Sequence, residues 1–318
     1  MKRRLSFLLS AALFALLFVF SAEARSGAAA GLRLWSGLLV PSLLPWFAAA
    51  GLLTRLGFLQ ALGRRLAPTA GRALGVSGAG FGIFLLGLSG GYPLGAASAA
   101  EALRAGTITR GEAQNLLRFC DNTGPAFAVG ALGVGVFHSA AAGFFLWTVH
   151  ALCALLLGLL FRSGEAPRAA EPHPAPPCAF SEALTGSVGA AVSALLAIGG
   201  YVTFFSSLLA IADALGLPGA AASFASARTP LPADFFRALF TGSLELSSGI
   251  GAMAALPRTR STFALGAFLL SWGGLCVHFQ TAAVTAGTGL DLGERLGAKL
   301  LHGLLSAAAA WALAPYVL

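Results

Sequence analysis

Charged residues are scarce in this 318-residue chain: Asp, Glu, Lys and Arg make up 10%, where a soluble domain carries roughly a quarter. The few there are cluster. None occurs in 34–53, 74–100, 122–161, 183–212, 261–290 or 300–318. Motifs for several activities are also missing. There is no Walker A sequence, which excludes an ATP-driven motor within this chain, and no HExxH. No Ser-His-Asp arrangement and no Cys/His cluster with metal-ligand spacing can be argued, so neither a metal nor a cofactor is expected. The four cysteines, Cys120, Cys153, Cys178 and Cys276, form no CxxC, and three lie in or beside apolar runs. They read as small buried hydrophobes. The formal charge of +8 would suggest nucleic acid in a soluble chain, but no basic stripe is interleaved with aromatics. The basic residues sit between apolar runs, as the positive-inside bias requires, so no nucleic-acid partner is expected.

Long hydrophobic runs are what the chain has instead. Each uncharged stretch approaches or exceeds the roughly 20 residues that cross a hydrocarbon core of about 30 Å. The run 122–161 has room for two crossings, with a break near His138-Ser139. The runs are rich in Ala, Leu and Gly and do not alternate, which argues for helices over strands. The expectation is an all-α, polytopic transmembrane bundle whose first partner is the lipid bilayer. Lys2-Arg3-Arg4, the run 5–20 and Ala22-Glu23-Ala24 have the layout of a signal peptide and also of a first transmembrane helix. A retained helix is favoured, because a multispanning protein needs no separate cleavable signal.

The clearest boundary is 163–181, with Pro167, Pro172, Pro174, Pro176 and Pro177, which reads as an extended linker. It separates a first transmembrane half, 1–162, from a second, 182–318. The halves echo each other: Phe84-Leu85-Leu86 leads into Ser89-Gly90-Gly91, and Phe268-Leu269-Leu270 into Ser271-Trp272-Gly273-Gly274. Internal repeats broken at corresponding places are the pattern of secondary transporters. Loop charges predict crossings at 5–21, 34–54, 113–137, 139–161, 184–212, 262–287 and 295–316. Re-entrant hairpins are predicted at 78–103 and 235–257, entering from opposite sides. A full crossing by every stretch is the rival topology.

Four polar breaks interrupt the apolar runs. Ser89, Gly90, Gly91, Tyr92 and Pro93 combine free backbone with a residue that kinks helices. Such backbone survives at membrane depth only inside protein or beside a cavity, although a plain packed kink gives the same sequence. Asp121-Asn122-Thr123-Gly124-Pro125 would start a helix at Pro125 and leave amides free for a ligand; Arg118, one turn earlier, is placed to neutralise Asp121. The segment Ser243, Leu244, Glu245, Leu246, Ser247, Ser248 carries the sole carboxylate amid an uncharged stretch. An ionised carboxylate in hydrocarbon is costly, so Glu245 is expected to face an internal cavity and mark a solute or ion path; an interfacial Glu reaching water is the plainer alternative. Gly273, Gly274, His278 and Gln280 put hydrogen-bonding groups inside another uncharged run. His278 could also carry a proton, and inter-helix bonding is its bland alternative. His138, His150 and His302 read as structural.

At these motifs the chain resembles a known family. The stretch 88–137, LSGGYPLGAASAAEALRAGTITRGEAQNLLRFCDNTGPAFAVGALGVGVF, looks like the signature region of the YlbJ-type sporulation integral membrane proteins. These belong to the wider nucleoside-recognition or Gate group, with the concentrative nucleoside transporters and the Gate segments of the ferrous iron transporter. The stretches 31–47, 243–253 and 271–283 are similar too, in the same order. The resemblance implies two inverted repeats, each with a re-entrant hairpin and a broken helix meeting at a central site. It also implies a bacterial cytoplasmic or forespore membrane, a link to endospore formation, a homo-oligomer, and movement of a small carboxylate such as dipicolinate. The first hairpin departs from the nucleoside transporters, since SGGYP offers no acidic or amide residue for a nucleoside. The expectation is a secondary transporter for a small polar or anionic solute, coupled to a proton or cation through Glu245 or His278. A non-transporting scaffold for envelope or spore assembly is the alternative. An intramembrane enzyme has no catalytic pair in its favour.

Overall fold

A computed structural model describes residues 2–58, 61, 65–162 and 179–317. Among them there is helix and no strand. The proline-rich segment, through Cys178, lies outside the described residues, as does Arg64. Ala179 is extended and a helix begins at Phe180, two residues before the expected start of the second half at 182, because Glu182 sits in the first turn where the helix dipole favours a carboxylate.

The first half opens with α1 (Lys2–Val19), then α2 (Ser21–Arg55), a helix 35 residues long. The charged residues Glu23, Arg25 and Arg33 end the apolar run but not the helix, so α2 starts well before the expected residue 34 and contains the Ala22-Glu23-Ala24 sequence. It carries a π-helical stretch at Trp35–Leu39 and contains Pro45 without ending there. The first hairpin is α3 (Gly78–Gly90) and α4 (Leu94–Arg104), reversing at Gly91-Tyr92-Pro93. Ser77 caps α3 and is itself held by Glu112, whose Oε1 accepts from the Ser77 amide (2.7 Å) and hydroxyl (2.6 Å). The expected crossing 113–137 is not one helix. It is α5 (Arg110–Leu117) and α6 (Pro125–Val134), with residues 118–124 unwound between them. The half closes with α7 (Ala140–Leu160), capped by Ser139.

The second half repeats this order. A long helix, α8 (Phe180–Ala214), is followed by a short α9 (Leu217–Ser226), which hydropathy alone did not foresee. The second hairpin is α10 (Ala233–Leu244) and α11 (Leu246–Met253), reversing at Glu245. A broken crossing follows as α12 (Arg260–Trp272) and α13 (Gly274–Val284), then α14 (Leu292–Leu313). Gly273 and Gly274 both take positive φ (84° and 79°), which side chains rarely adopt, so the helix parts there.

Small residues let these helices approach. A Cβ on Gly27 or Gly31 of α2 would meet the α8 backbone at Ser207 or Thr203. The Trp35 indole lies against Gly199 and donates to the Leu195 carbonyl (2.8 Å). In both hairpins the two arms touch through glycines, Gly87 with Gly95 and Gly242 with Gly249. Close backbone contact through small residues is how helices pack where lipid removes the hydrophobic drive. Leu5, Phe7, Phe14 and Phe18 of α1 are exposed, as are Leu296, Leu300, Leu304 and Trp311 of α14. The outer surface is greasy, as expected of a protein whose solvent is lipid. The chain is thus an all-α polytopic membrane bundle of two inverted repeats, each with a re-entrant hairpin and a broken helix.

Candidate functional site

The break at Gly273 frees the carbonyls of the last turn of α12, because no following turn supplies amides to donate to them. Both first-half breaks use these carbonyls. The Tyr92 hydroxyl donates to Leu270 O (3.0 Å) and Ser271 O (3.2 Å), and Thr123 Oγ1 donates to Leu270 O (2.6 Å). Trp272 of the second half in turn donates from Nε1 to Ser243 O (3.1 Å). The hairpin tips and the broken helices are therefore fastened to each other, and a cavity remains between them.

That cavity is lined by Gly91 and Tyr92 of the first tip, Thr123 and Gly124 of the first break, Glu245 and Ser247 of the second tip, and Gln280 of α13. Its apolar wall comes from α2, α6, α8 and α13, through residues such as Leu43, Phe127, Val202 and Val277. It encloses about 50 Å³, room for roughly three waters. Glu245 is 2% exposed and caps α11: Oε1 accepts from the Ser247 amide (3.0 Å) and Oε2 from the Ser248 amide (2.6 Å). The positive end of α11 is thus already answered by the chain's own carboxylate.

The remaining candidates do other work. Ser89 donates back to Leu86 O (3.1 Å), Gly90 packs on Leu94, and Pro93 leads into α4. Asn122 is fully buried and donates to Phe119 O (2.7 Å), closing the unwound segment on itself. Gly273 and Gly274 let Tyr92 and the Gly242 carbonyl come close. His278 turns away from the cavity. Its ring packs on Trp272 and its Nδ1 meets the Arg295 guanidinium, which makes that nitrogen an acceptor.

Arg118 does not neutralise Asp121. It pairs with Glu294 (2.6 Å), and the partner of Asp121 is Arg295 of α14, aided by the Thr281 hydroxyl (2.8 Å). Arg295 is 2% exposed and Asp121 fully buried. One turn on, Lys299 Nζ donates to Asp121 O (2.9 Å) and to His302 Nδ1 (3.1 Å), 5.0 Å from the Tyr92 ring centre. His302 Nε2 donates to His150 O (2.9 Å), and the two imidazoles stack at 4.5 Å. His150 Nε2 accepts from the Thr123 amide (3.2 Å), so its Nδ1 is the donor to Ser271 Oγ (2.7 Å), which donates on to Ser306 (2.9 Å).

This buried network was not read from the sequence, where neither Arg295 nor Lys299 was singled out. A signal existed: 295, 299, 302 and 306 are spaced as one helical face. On α14 that face is buried while Leu296, Leu300 and Leu304 look outward, so the helix is polar inside and apolar outside.

No family model matches the chain. It is similar to the sporulation integral membrane protein YlbJ of Bacillus subtilis (strain 168), with 27% identity over 312 residues covering 87% of this chain and 74% of that protein. This supports the YlbJ-type resemblance carried by the motifs and the assignment to a membrane. Among solved structures, a CNTnw variant in an intermediate state matches with a TM-score of 0.54 and 15% identity over 98% of this chain and 85% of that one. A second CNTnw variant, in an outward-facing state, matches at 0.56 and 16% identity over 99% and 85%. The chain therefore shares the fold of these CNTnw structures.

Proposed function

We propose that this protein is a secondary-transporter-like membrane protein that moves a small polar or anionic solute, a carboxylate such as dipicolinate or a nucleoside-like molecule. One observation carries the reading: both hairpin tips, the first helix break and the α13 helix that follows the second break border a single cavity, with a buried carboxylate, an amide and hydroxyl side chains in a largely apolar wall. A few convergent polar groups in an apolar pocket are the common form of a small-molecule site. The fold shared with nucleoside transporters supports it, and the similarity to YlbJ supports a link to sporulation.

Such solutes need more room than about 50 Å³, since ligand pockets usually exceed roughly 300 Å³. Binding therefore requires the cavity to widen. The test is thermal unfolding of the purified protein against nucleosides, dicarboxylates including dipicolinate, amino acids and common cations. A true solute at 100 times its dissociation constant should stabilise by about 2.7 kcal/mol. A shift with one class, lost in Glu245→Gln, is the expected result. No shift with any class overturns the reading and leaves a scaffold in envelope or spore assembly.

A further inference from the structure

Lys299 is a fully buried base with no carboxylate of its own. Every group that faces it can be named. Asp121 and Cys120 come from the unwound segment, Tyr92 from the first hairpin tip, His150 from α7 and His278 from α13, while Arg295 and His302 share its helix. Of these only Asp121 is acidic in ordinary conditions, and its carboxylate is engaged by Arg295 and Thr281. Lys299 reaches the Asp121 backbone carbonyl instead.

The hydrogen-bond valences around Nζ fit both of its protonation states. It has two acceptors, Asp121 O and His302 Nδ1. A neutral amine has two N–H groups to give them. An ammonium has a third, and the face of the Tyr92 ring, 5.0 Å away, is there to take it as a cation–π contact. The histidines do not compete for this proton. With Nζ as the donor to His302, each imidazole accepts at one nitrogen and donates at the other, as a neutral tautomer. With Lys299 neutral the network is balanced by the Asp121–Arg295 pair. With Lys299 charged it holds one positive charge in excess, which a buried site tolerates only beside an anion.

The opposite face of the site supplies the place for one, since Tyr92 and Thr123 line the cavity and also contact the network. Glu245, the cavity's own charge, is already committed to the Ser247 and Ser248 amides.

We propose that Lys299 is the proton-carrying residue of the transporter: an anionic solute enters the cavity together with one proton, taken from water onto Lys299 Nζ. The proton then offsets one of the negative charges that the solute brings, and loss of the solute releases the proton again. This rests on the solute-transport reading and names its coupling ion. It also moves the coupling role away from Glu245 and His278.

The experiment is calorimetric binding of pyridine-2,6-dicarboxylate to the purified full chain in detergent, from pH 6 to 9, in pairs of buffers with different ionisation enthalpies. Wild type should take up about one proton per solute, with affinity falling by up to about tenfold per pH unit once Lys299 is unprotonated in the free protein. Glu245→Gln should bind more weakly yet keep the proton uptake wherever binding is measurable. Lys299→Gln, which keeps a donor without the charge, should bind without uptake and with no pH dependence. Lys299→Arg, permanently charged, should also bind without uptake, and it serves if the glutamine variant does not fold. Binding by wild type with no proton uptake overturns the role of Lys299 and leaves the transport reading intact. Persistence of uptake in either Lys299 variant overturns it too. Absence of any binding removes both the anionic-solute reading and the proton role that depends on it.

Discussion

The unwound segment of the first half and the hairpin tip of the second each bury one carboxylate, and the two are held in opposite ways. Asp121 sits between α5 and α6 with no exposure; its carboxylate faces a guanidinium and a hydroxyl, and its carbonyl accepts from Lys299. Glu245, 2% exposed, faces no base; its oxygens accept two amides from the helix it starts, and it borders the cavity. Asp121 ties α14 to the first half across 174 residues of sequence. Among the described residues, the Glu245 side chain bonds only to its own tip. A carboxylate committed to a distant partner fixes architecture, and one committed to local amides leaves its tip held to the rest by other contacts, such as Trp272 to the Ser243 carbonyl. The first hairpin fits this division, because its tip is Gly91-Tyr92-Pro93, without charge, and is pinned to α12 through the Tyr92 hydroxyl.

The largest expected effect follows from removing the distant tie. Asp121→Asn keeps the shape but leaves Arg295 charged, buried and unpaired, which should cost about 3–5 kcal/mol. Unfolding of the purified protein in detergent is the measurement. Glu245→Gln in the same assay removes only a charged cap and should cost about 1 kcal/mol, typical of a lost N-cap. The comparison breaks if the order is reversed or the two losses are equal, for then Glu245 would be as structural as Asp121.

The pattern of legibility has the same origin. Both hairpins and both breaks could be read because each is local: glycine, proline or a lone carboxylate inside an uncharged run announces that a helix cannot simply continue. Glu245, Tyr92, Thr123 and Gln280 were singled out on that basis, and they share one cavity. The Asp121–Arg295–Lys299 network was not legible, because its partners meet only through tertiary packing. The local cue pointed elsewhere, since Arg118 lies three residues from Asp121, the spacing of neighbours on a helix. No such helix exists there, because residues 118–124 are unwound. His150 and His302 were set aside as scattered for the same reason: they are 152 residues apart and stack only once α7 and α14 pack. Similarly, α2 runs beyond its apolar stretch because Glu23, Arg25 and Arg33 limit hydropathy, not helix formation.

The smallest effect is expected at the pair that Arg118 makes in place of the expected one. Arg118 and Glu294 meet at 2.6 Å, with their side chains 24% and 47% exposed. A pair this open is screened by solvent and loses side-chain entropy in forming, so Arg118→Ala should cost about 0.2–1 kcal/mol. The guanidinium also lies 5.4 Å from the Phe161 ring centre, a contact that adds little at an exposed site. Raising the salt concentration should erase most of the difference between Arg118→Ala and wild type, because exposed charges are screened within about 10 Å at 0.1 M. The deficit of Asp121→Asn should persist in the same salt, since its bare partner is buried. A large, salt-resistant loss in Arg118→Ala would mean that Arg118 reaches Asp121 after all, and the division between the two carboxylates would have to be redrawn.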